Sequence, residues 1–206
     1  YGEFIMKAIR ESDDRTEYAV SQPMTFFILS DIHGSATAFE RAARAFEREG
    51  ADYLVVCGDY LNHGPRNPIP EGYDPQRTAQ LINAYKIRIL AVRGNCDSEV
   101  DQMLLEFPCA GDYLVFFSGS RRFFVTHGHL WNEKNLPPLL SGDVFISGHT
   151  HVPVLEERDG HIFLNPGSPS IPKEGSEPGY AIIEEGAIVL KNLEGAELKR
   201  VNLSSR

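Results

Sequence analysis

The chain has 206 residues, 42% of them hydrophobic and 24% charged, enough for one sizeable core and too ordinary a mix for a disordered or disulfide-stapled protein. Twenty basic against 29 acidic residues leave a formal net charge of -9, which disfavours duplex nucleic acid as a main partner. Three cysteines without framework spacing point to a reducing, cytoplasmic setting, and no apolar run reaches the roughly 18 residues of a membrane helix.

Residues 1–23 are polar and precede a second methionine, Met24, which heads a strongly apolar run. They are expected to be a dispensable extension, in part vector-encoded, ahead of one domain over 24–206. Residues 25–30 read as a buried strand, ended by polar Asp31-Ile32-His33-Gly34. Over 35–49, Ala36, Phe39, Ala42, Ala43 and Phe46 recur at three- and four-residue steps, and Gly50 stops the predicted helix. A second strand is expected over 52–57, followed by a Pro- and Gly-punctuated loop over 60–75 that is expected to lie above a site. A helix over 74–83, with Pro75 near its start, and a third strand over 86–92 continue the alternation. Strand-like runs then crowd together at 113–117, 122–126, 144–147, 161–164, 179–184 and 187–190, with a short helix at 135–140 and a hairpin turn at Glu185-Gly186. One layered α/β domain with mixed sheets follows from this order.

The chemically pointed residues fall just after predicted strands, where open α/β sheets place their ligands. They are Asp31-Ile32-His33, Gly58-Asp59, Gly94-Asn95-Cys96-Asp97, His127-Gly128-His129 and Gly148-His149-Thr150-His151. Singly they are weak, because Asp-x-His and Gly-Asn sequences serve ordinary turns. The paired histidines are stronger, since alternate residues of an extended chain share a side. Together the motifs offer carboxylate, amide and imidazole donors, a set that suits Mn, Fe, Zn, Co or Ni. Two adjacent cations sharing a carboxylate would hold a phosphate and acidify a water, so hydrolysis of a phosphate ester is the leading expectation.

In order and spacing these motifs resemble those of the calcineurin-like metallophosphoesterases, over essentially all of 24–203. Within that superfamily the chain is similar to the small bacterial YfcE-type phosphodiesterases, through Leu61-Asn62-His63-Gly64-Pro65-Arg66-Asn67, Val92 to Met103 and Phe163-Leu164-Asn165-Pro166-Gly167-Ser168. The resemblance implies an α/β fold, a four-layer α/β/β/α sandwich with two mixed sheets. It implies two divalent transition-metal ions, Mn2+ by preference, one held by Asp31, His33, Asp59 and His151 and the other by the bridging Asp59, Asn95, His127 and His149. His129 then stands outside the metal ligands. The implied activity is hydrolysis of small phosphodiesters by in-line attack of a hydroxide bridging the metals, with Asp59, Asn95, Cys96, Asp97 and His127 in the catalytic group. Asn62, His63, Arg66, Asn67 and Arg93 are candidates for substrate contact, a surface ion pair being an equal reading for either arginine.

Many larger relatives carry histidine after the metal-binding asparagine, where this chain has Cys96. A neutral thiol cannot supply the positive charge of an imidazolium, so weak action on dianionic monoesters is expected. Asp97 reads equally as an orienting group or as a cap of the local turn. Residues 165–170 look like a rigid turn first and a site wall second. Gly34, Gly58, Gly94, Gly128 and Gly148 give room for tight turns, Cys57 and Cys109 read as packing thiols, and Trp131 and Leu130 as core before cleft. The competing readings are a catalytically silent interaction scaffold on the same fold and a metal-dependent nucleotide phosphatase or cyclic nucleotide phosphodiesterase. A small phosphodiester is the expected partner, with neither duplex nucleic acid nor membrane, and the Pro-rich loop and an exposed sheet edge offer surfaces for a homo-oligomer.

Overall fold

The computed structural model describes residues 23–203, so the extension expected over 1–23 lies outside the described residues apart from Pro23. The chain runs β1 (Phe26–Leu29), α1 (Ala36–Glu49), β2 (Tyr53–Val56), α2 (Pro75–Asn83), β3 (Ile89–Ala91) and α3 (Glu99–Leu104). It continues through β4 (Tyr113–Ser118), β5 (Arg121–Thr126), β6 (Val144–Ile146), β7 (Val154–Arg158) and β8 (His161–Asn165) to β9 (Gly179–Glu184), β10 (Ala187–Asn192) and β11 (Glu197–Asn202).

The first sheet has the order β11-β10-β9-β1-β2-β3, parallel from β1 to β3 and antiparallel elsewhere. The second has the order β4-β5-β6-β8-β7, with β5, β6 and β8 parallel and an antiparallel strand at each edge. β1 is apolar throughout because both its faces are covered. Phe27 and Leu29 meet Phe39, Ala42 and Phe46 of α1, while Phe26 and Ile28 join Phe123, Val125, Val144 and Ile146 between the sheets. The Ser35 side chain caps α1 by accepting from the Ala38 N–H, and Gly50 ends it at φ 62°. Asp74 caps α2 in the same way, with Pro75 in the first turn where its missing N–H costs nothing.

The outermost layer, on the far face of the second sheet, is built by loop rather than helix. Trp131, Leu139 and Val154 cover Phe124, Phe145 and Phe163 there. Residues 135–140, expected to be helical, form no helix, because Pro137 and Pro138 remove donors and Asn132 and Asn135 close a turn on each other. Leu130 is 43% exposed instead of joining the core, whereas Trp131 does join it. The expected strand over 86–92 is shortened to Ile89–Ala91 behind a turn of 3-10 helix, with Arg88 turned back onto the Ala51 and Asp52 carbonyls. The sequence reading missed β7 and β11, both edge strands with mostly exposed side chains.

Candidate metal centre

Asp31 and His33 follow β1, Asp59 follows β2, Asn95 follows β3, His127 follows β5, and His149 and His151 follow β6. The backbone there is held in an uncommon form. Seven non-glycine residues among those described have positive φ, and five are expected ligands: Asp31 (57°), His33 (51°), Asp59 (57°), His149 (68°) and His151 (61°). Left-handed backbone costs a non-glycine residue about 1–2 kcal/mol, so this concentration marks a place where geometry outranks stability. Glycine makes the approach of the loops feasible. A Cβ on Gly94 would overlap the Asp59 carboxylate, and one on Gly148 would overlap Ser30 Oγ.

The donor atoms converge. Asp59 Oδ2 lies 3.7 Å from His33 Nε2 and 3.4 Å from His127 Nε2, and so sits between two imidazoles. Asp31 Oδ1 lies 3.6 Å from His33 Nε2 and 3.3 Å from His151 Nε2, and Asn95 Oδ1 is 3.1 Å from His127 Nε2. Three combinations bring their ligand atoms within 4.8 Å of one another: Asp31, His33 and His151; Asp31, Asp59 and His127; and His33, Asp59 and Cys96. His149 stands beside them, its ring centroid 5.1 Å from that of His127 and its backbone N–H on Asp31 Oδ2.

Hydrogen bonds behind the cluster fix how it faces. Nδ1 of His33, His127 and His151 pairs with the backbone carbonyls of Asn62, Cys57 and Ile171 at 2.8, 2.7 and 2.8 Å. A carbonyl accepts only, so each Nδ1 carries the hydrogen and each Nε2 faces inward, offering a lone pair whenever its ring is neutral. His33 and His151 Nε2 are 3.1 Å apart, an opposition of lone pairs that a proton or a cation must reconcile. Asp31 Oδ1 is buried with no hydrogen-bond partner among the described residues, while Oδ2 is held by Ser30 Oγ and the His149 N–H. An orphaned carboxylate oxygen beside inward lone pairs fits divalent cations bound by mixed O/N ligands.

The titration behaviour follows from the same packing. Burial works to raise the Asp31 carboxyl, but the His151 and His33 imidazoles facing it at 3.3 and 3.6 Å outweigh it and hold the group well below the usual carboxylate range. Burial likewise works against a charged His127, and the Asp59 and Asp31 carboxylates overcome it, pushing the imidazole up to about 9.

Asp97 is a clamp. Its Oδ2 accepts from the Asp59 and Gly94 N–H groups at 2.8 and 2.7 Å, and its Oδ1 from Tyr60 N–H at 2.8 Å, tying the loop after β2 to the loop after β3. The Cys96 N–H adds a bond to Asp59 Oδ1 at 2.8 Å. Burial, reinforced by the Asp59 carboxylate, pushes the Cys96 thiol up to about 12, so it is neutral near pH 7. A cavity of about 380 Å³ opens on the centre, bounded by Asp59, Asn95, Cys96, Arg66, Asn67, His149, His151 and Lys173 among others.

Of the five candidate substrate contacts, Arg66 and Asn67 line this cavity. Asn62 works through its backbone carbonyl on His33 and uses its side chain to accept from the Gly64 N–H. His63 packs edge-on against Tyr73, and Arg93 pairs with Asp112 at 2.6 Å on the surface. Neither borders the cavity. Sequence reasoning missed Lys173, which borders it, and Ser30, which helps hold it in shape; Thr150 was given no role within its motif, and Asn165 and Ser168, read as a turn first and a site wall second, brace the cavity. Asn165 Nδ2 donates to the Gly148 carbonyl at 2.8 Å, and Ser168 Oγ to the Asp31 carbonyl at 2.7 Å. Ser30 and Asn165 carried a signal, since each puts a polar side chain at the end of a buried apolar strand.

Two mixed sheets facing each other, with a carboxylate-histidine cluster at the ends of their parallel strands, define a metal-dependent phosphoesterase sandwich. The chain belongs to the calcineurin-like phosphoesterase superfamily, whose domain pattern matches residues 24–187. It is 48% identical over 165 residues to phosphodiesterase YfcE of Escherichia coli strain K12, covering 80% of this chain and 90% of that protein. The probable metallophosphoesterase YsnB of Bacillus subtilis strain 168 is 31% identical over 170 residues, 78% of this chain and 83% of that one. The solved structure of the E. coli phosphoesterase Yfce superposes with a TM-score of 0.86 at 44% identity, covering 88% of this chain and all of that one.

Proposed function

We propose that this chain is a phosphodiesterase acting on small phosphodiesters at a centre of two divalent transition-metal ions, with manganese as the working metal. The observation that carries the reading is Asp59 Oδ2 between His33 and His127, with Asp31 and His151 on one side and Asn95 on the other. Asp31, His33, Asp59 and His151 form one ligand set, and Asp59, Asn95, His127 and His149 the other. Cations held there would supply Lewis-acid polarisation of the phosphoryl group and would lower the pKa of a water. Arg66 and Lys173 offset charge on the oxygens that are not attacked, and Asp97 positions Asp59 through the backbone. Cys96, neutral beside the cluster, contributes no positive charge, which favours the singly charged diester over the doubly charged monoester.

A 48% identical relative bearing the name phosphodiesterase supports the substrate class. A silent scaffold would have no need of five ligands on left-handed backbone. The catalytic unit is the domain over 24–206, with 1–23 dispensable. Three unpaired cysteines suit a reducing cytoplasm, and no described helix is long and apolar enough to cross a membrane. Self-association would use the open edge at β4, where Tyr113, Val115 and Phe117 are exposed on one face. The test is a turnover panel of paired diester and monoester substrates with Mn2+, Ni2+, Co2+, Zn2+ and Mg2+. Diester turnover that is highest with Mn2+ and lost in Asp59→Asn is expected; a metal-independent rate would overturn the reading.

A further inference from the structure

The loop between β2 and α2 is fastened at both ends to the turn that carries Asp31 and His33. At its start the Tyr60 carbonyl accepts from the Gly34 N–H at 2.8 Å, and the Asn62 carbonyl accepts from His33 Nδ1 at 2.8 Å. At its end the Gly72 carbonyl accepts from the Ala36 N–H at 2.9 Å, and the Asp74 N–H donates to the Gly34 carbonyl at 2.8 Å. A ring contact closes the loop across its neck: His63 lies edge-on to Tyr73, with centroids 5.2 Å apart and planes at 83°. Tyr73 in turn rests on Gly34, where a Cβ would stand 2.7 Å from its ring.

Inside that neck, the stretch from Gly64 to Pro68 walls the cavity over Asp59, Asn95 and Cys96. Gly64 is so close to Cys96 that a Cβ on it would stand 2.8 Å from Sγ. Asn67 braces the stretch, its N–H donating to the Gly64 carbonyl at 3.3 Å and its Nδ2 to the His63 carbonyl at 3.0 Å. Arg66 carries the only charge of the stretch and pairs with no carboxylate among the described residues, whereas Arg93, Arg122 and Arg158 are each taken up by one. The rings of His63 and Tyr73 lie outside the cavity wall.

We propose that Tyr73 is a positioning residue for substrate binding: through its ring contact with His63 it sets the loop that presents Arg66 to the cavity. The inference rests on the diesterase reading and names what positions its substrate-binding cation. The charge of a long side chain serves a phosphate only when the backbone beneath it is already in place. Otherwise the substrate must order loop and side chain together, and that cost lowers its affinity. His127 and His151 are aimed by the Cys57 and Ile171 carbonyls, away from the neck. Loosening the neck therefore weakens binding of the ester more than it slows the chemical step.

The probe is methyl p-nitrophenyl phosphate with the Mn2+-loaded full chain. Tyr73→Ala is expected to raise KM at least about fivefold, to change kcat by less than about twofold, and to keep the metal content of the parent. Tyr73→Phe, which keeps the ring, should restore the parent KM. Arg66→Ala should raise KM as well, and the double variant should lose no more than Arg66→Ala alone, because the ring acts through that arginine. His63→Ala removes the same contact from its other side and serves if Tyr73→Ala does not fold. A folded variant with the parent KM, a loss that phenylalanine does not rescue, or losses that multiply in the double variant overturns the inference and leaves the diesterase reading intact. Failure of the parent to hydrolyse the diester removes both.

Discussion

Parallel and antiparallel strands divide the labour in this molecule. All seven expected metal ligands follow parallel strands, namely β1, β2, β3, β5 and β6, and the remaining parallel strand, β8, ends in Asn165, which braces the loop after β6. The antiparallel strands β4, β7, β9, β10 and β11 provide none. Parallel neighbours end on the same side of a sheet, so their loops gather; antiparallel neighbours end on opposite sides, and a hairpin commits the connecting residues to a turn. With two sheets face to face, two sets of gathered loops meet, and that meeting is the centre. The antiparallel margins supply burial and closure instead.

The sharpest way to break this division is at the residue proposed to be shared between two ligand sets. Asp59→Asn is expected to lower diester kcat/KM by at least about 10³-fold, since it removes the carboxylate that stands between His33 and His127 and is proposed to serve both cations. A variant within tenfold of the parent would show that the gathered loops are not the active centre. A smaller effect belongs to Cys96→His, which restores an imidazole next to Asn95. The ratio of monoester to diester turnover should rise several-fold, and an unchanged ratio would remove the role assigned to the neutral thiol.

Backbone strain offers a comparison of stability. His149 stands at φ 68° beside the centre, whereas His161 begins β8 in ordinary strand conformation. In metal-free urea melts, glycine at His149 should cost about 1–2 kcal/mol less than glycine at His161, because only the first substitution relieves left-handed backbone. Equal losses would mean that the loops store no strain. The smallest effect is expected at the margin. Glu49, at the end of α1, pairs with Lys191 of β10 at 2.8 Å and accepts from the Tyr180 hydroxyl of β9 at 2.6 Å. Burial works to raise its carboxyl, and these partners outweigh it, lowering the group below its ordinary 4.5. Its ionised form therefore stabilises the fold above about pH 4.5, and that contribution fades as acid protonates the folded state. Glu49→Gln should cost about 0.5–1 kcal/mol at pH 7 and less at pH 4, with turnover unchanged; lost turnover would blur the division between margin and centre.

The same division explains what was legible in the sequence. Parallel strands buried on both faces read as unbroken apolar runs, and their terminal Asp, His and Asn residues stood out against them. β7 and β11 did not, because an edge strand is held by backbone bonds to one neighbour and tolerates almost any side chain. In Val154-Leu155-Glu156-Glu157-Arg158 only Leu155 is fully buried. The loop at 135–140 shows the converse, a short apolar stretch in which Pro137 and Pro138 deny the helix its donors. Within the site, ligand types were readable, but the bracing was readable only in part, as at Asp97. Ser168 supports Asp31 across 137 residues of chain, and no local pattern announces such a contact. Arg93 and His63 were plausible by proximity in sequence, yet Asp112 and Tyr73 claim them in space.

The most direct test of the central claim is metal stoichiometry measured with turnover on the same sample. After loading with Mn2+ and removal of the excess, elemental analysis should find two metal ions per wild-type chain, fewer in Asp59→Asn, and diester hydrolysis that disappears on chelation and returns with Mn2+. A chain that retains no metal yet hydrolyses the diester at the same rate would contradict the account.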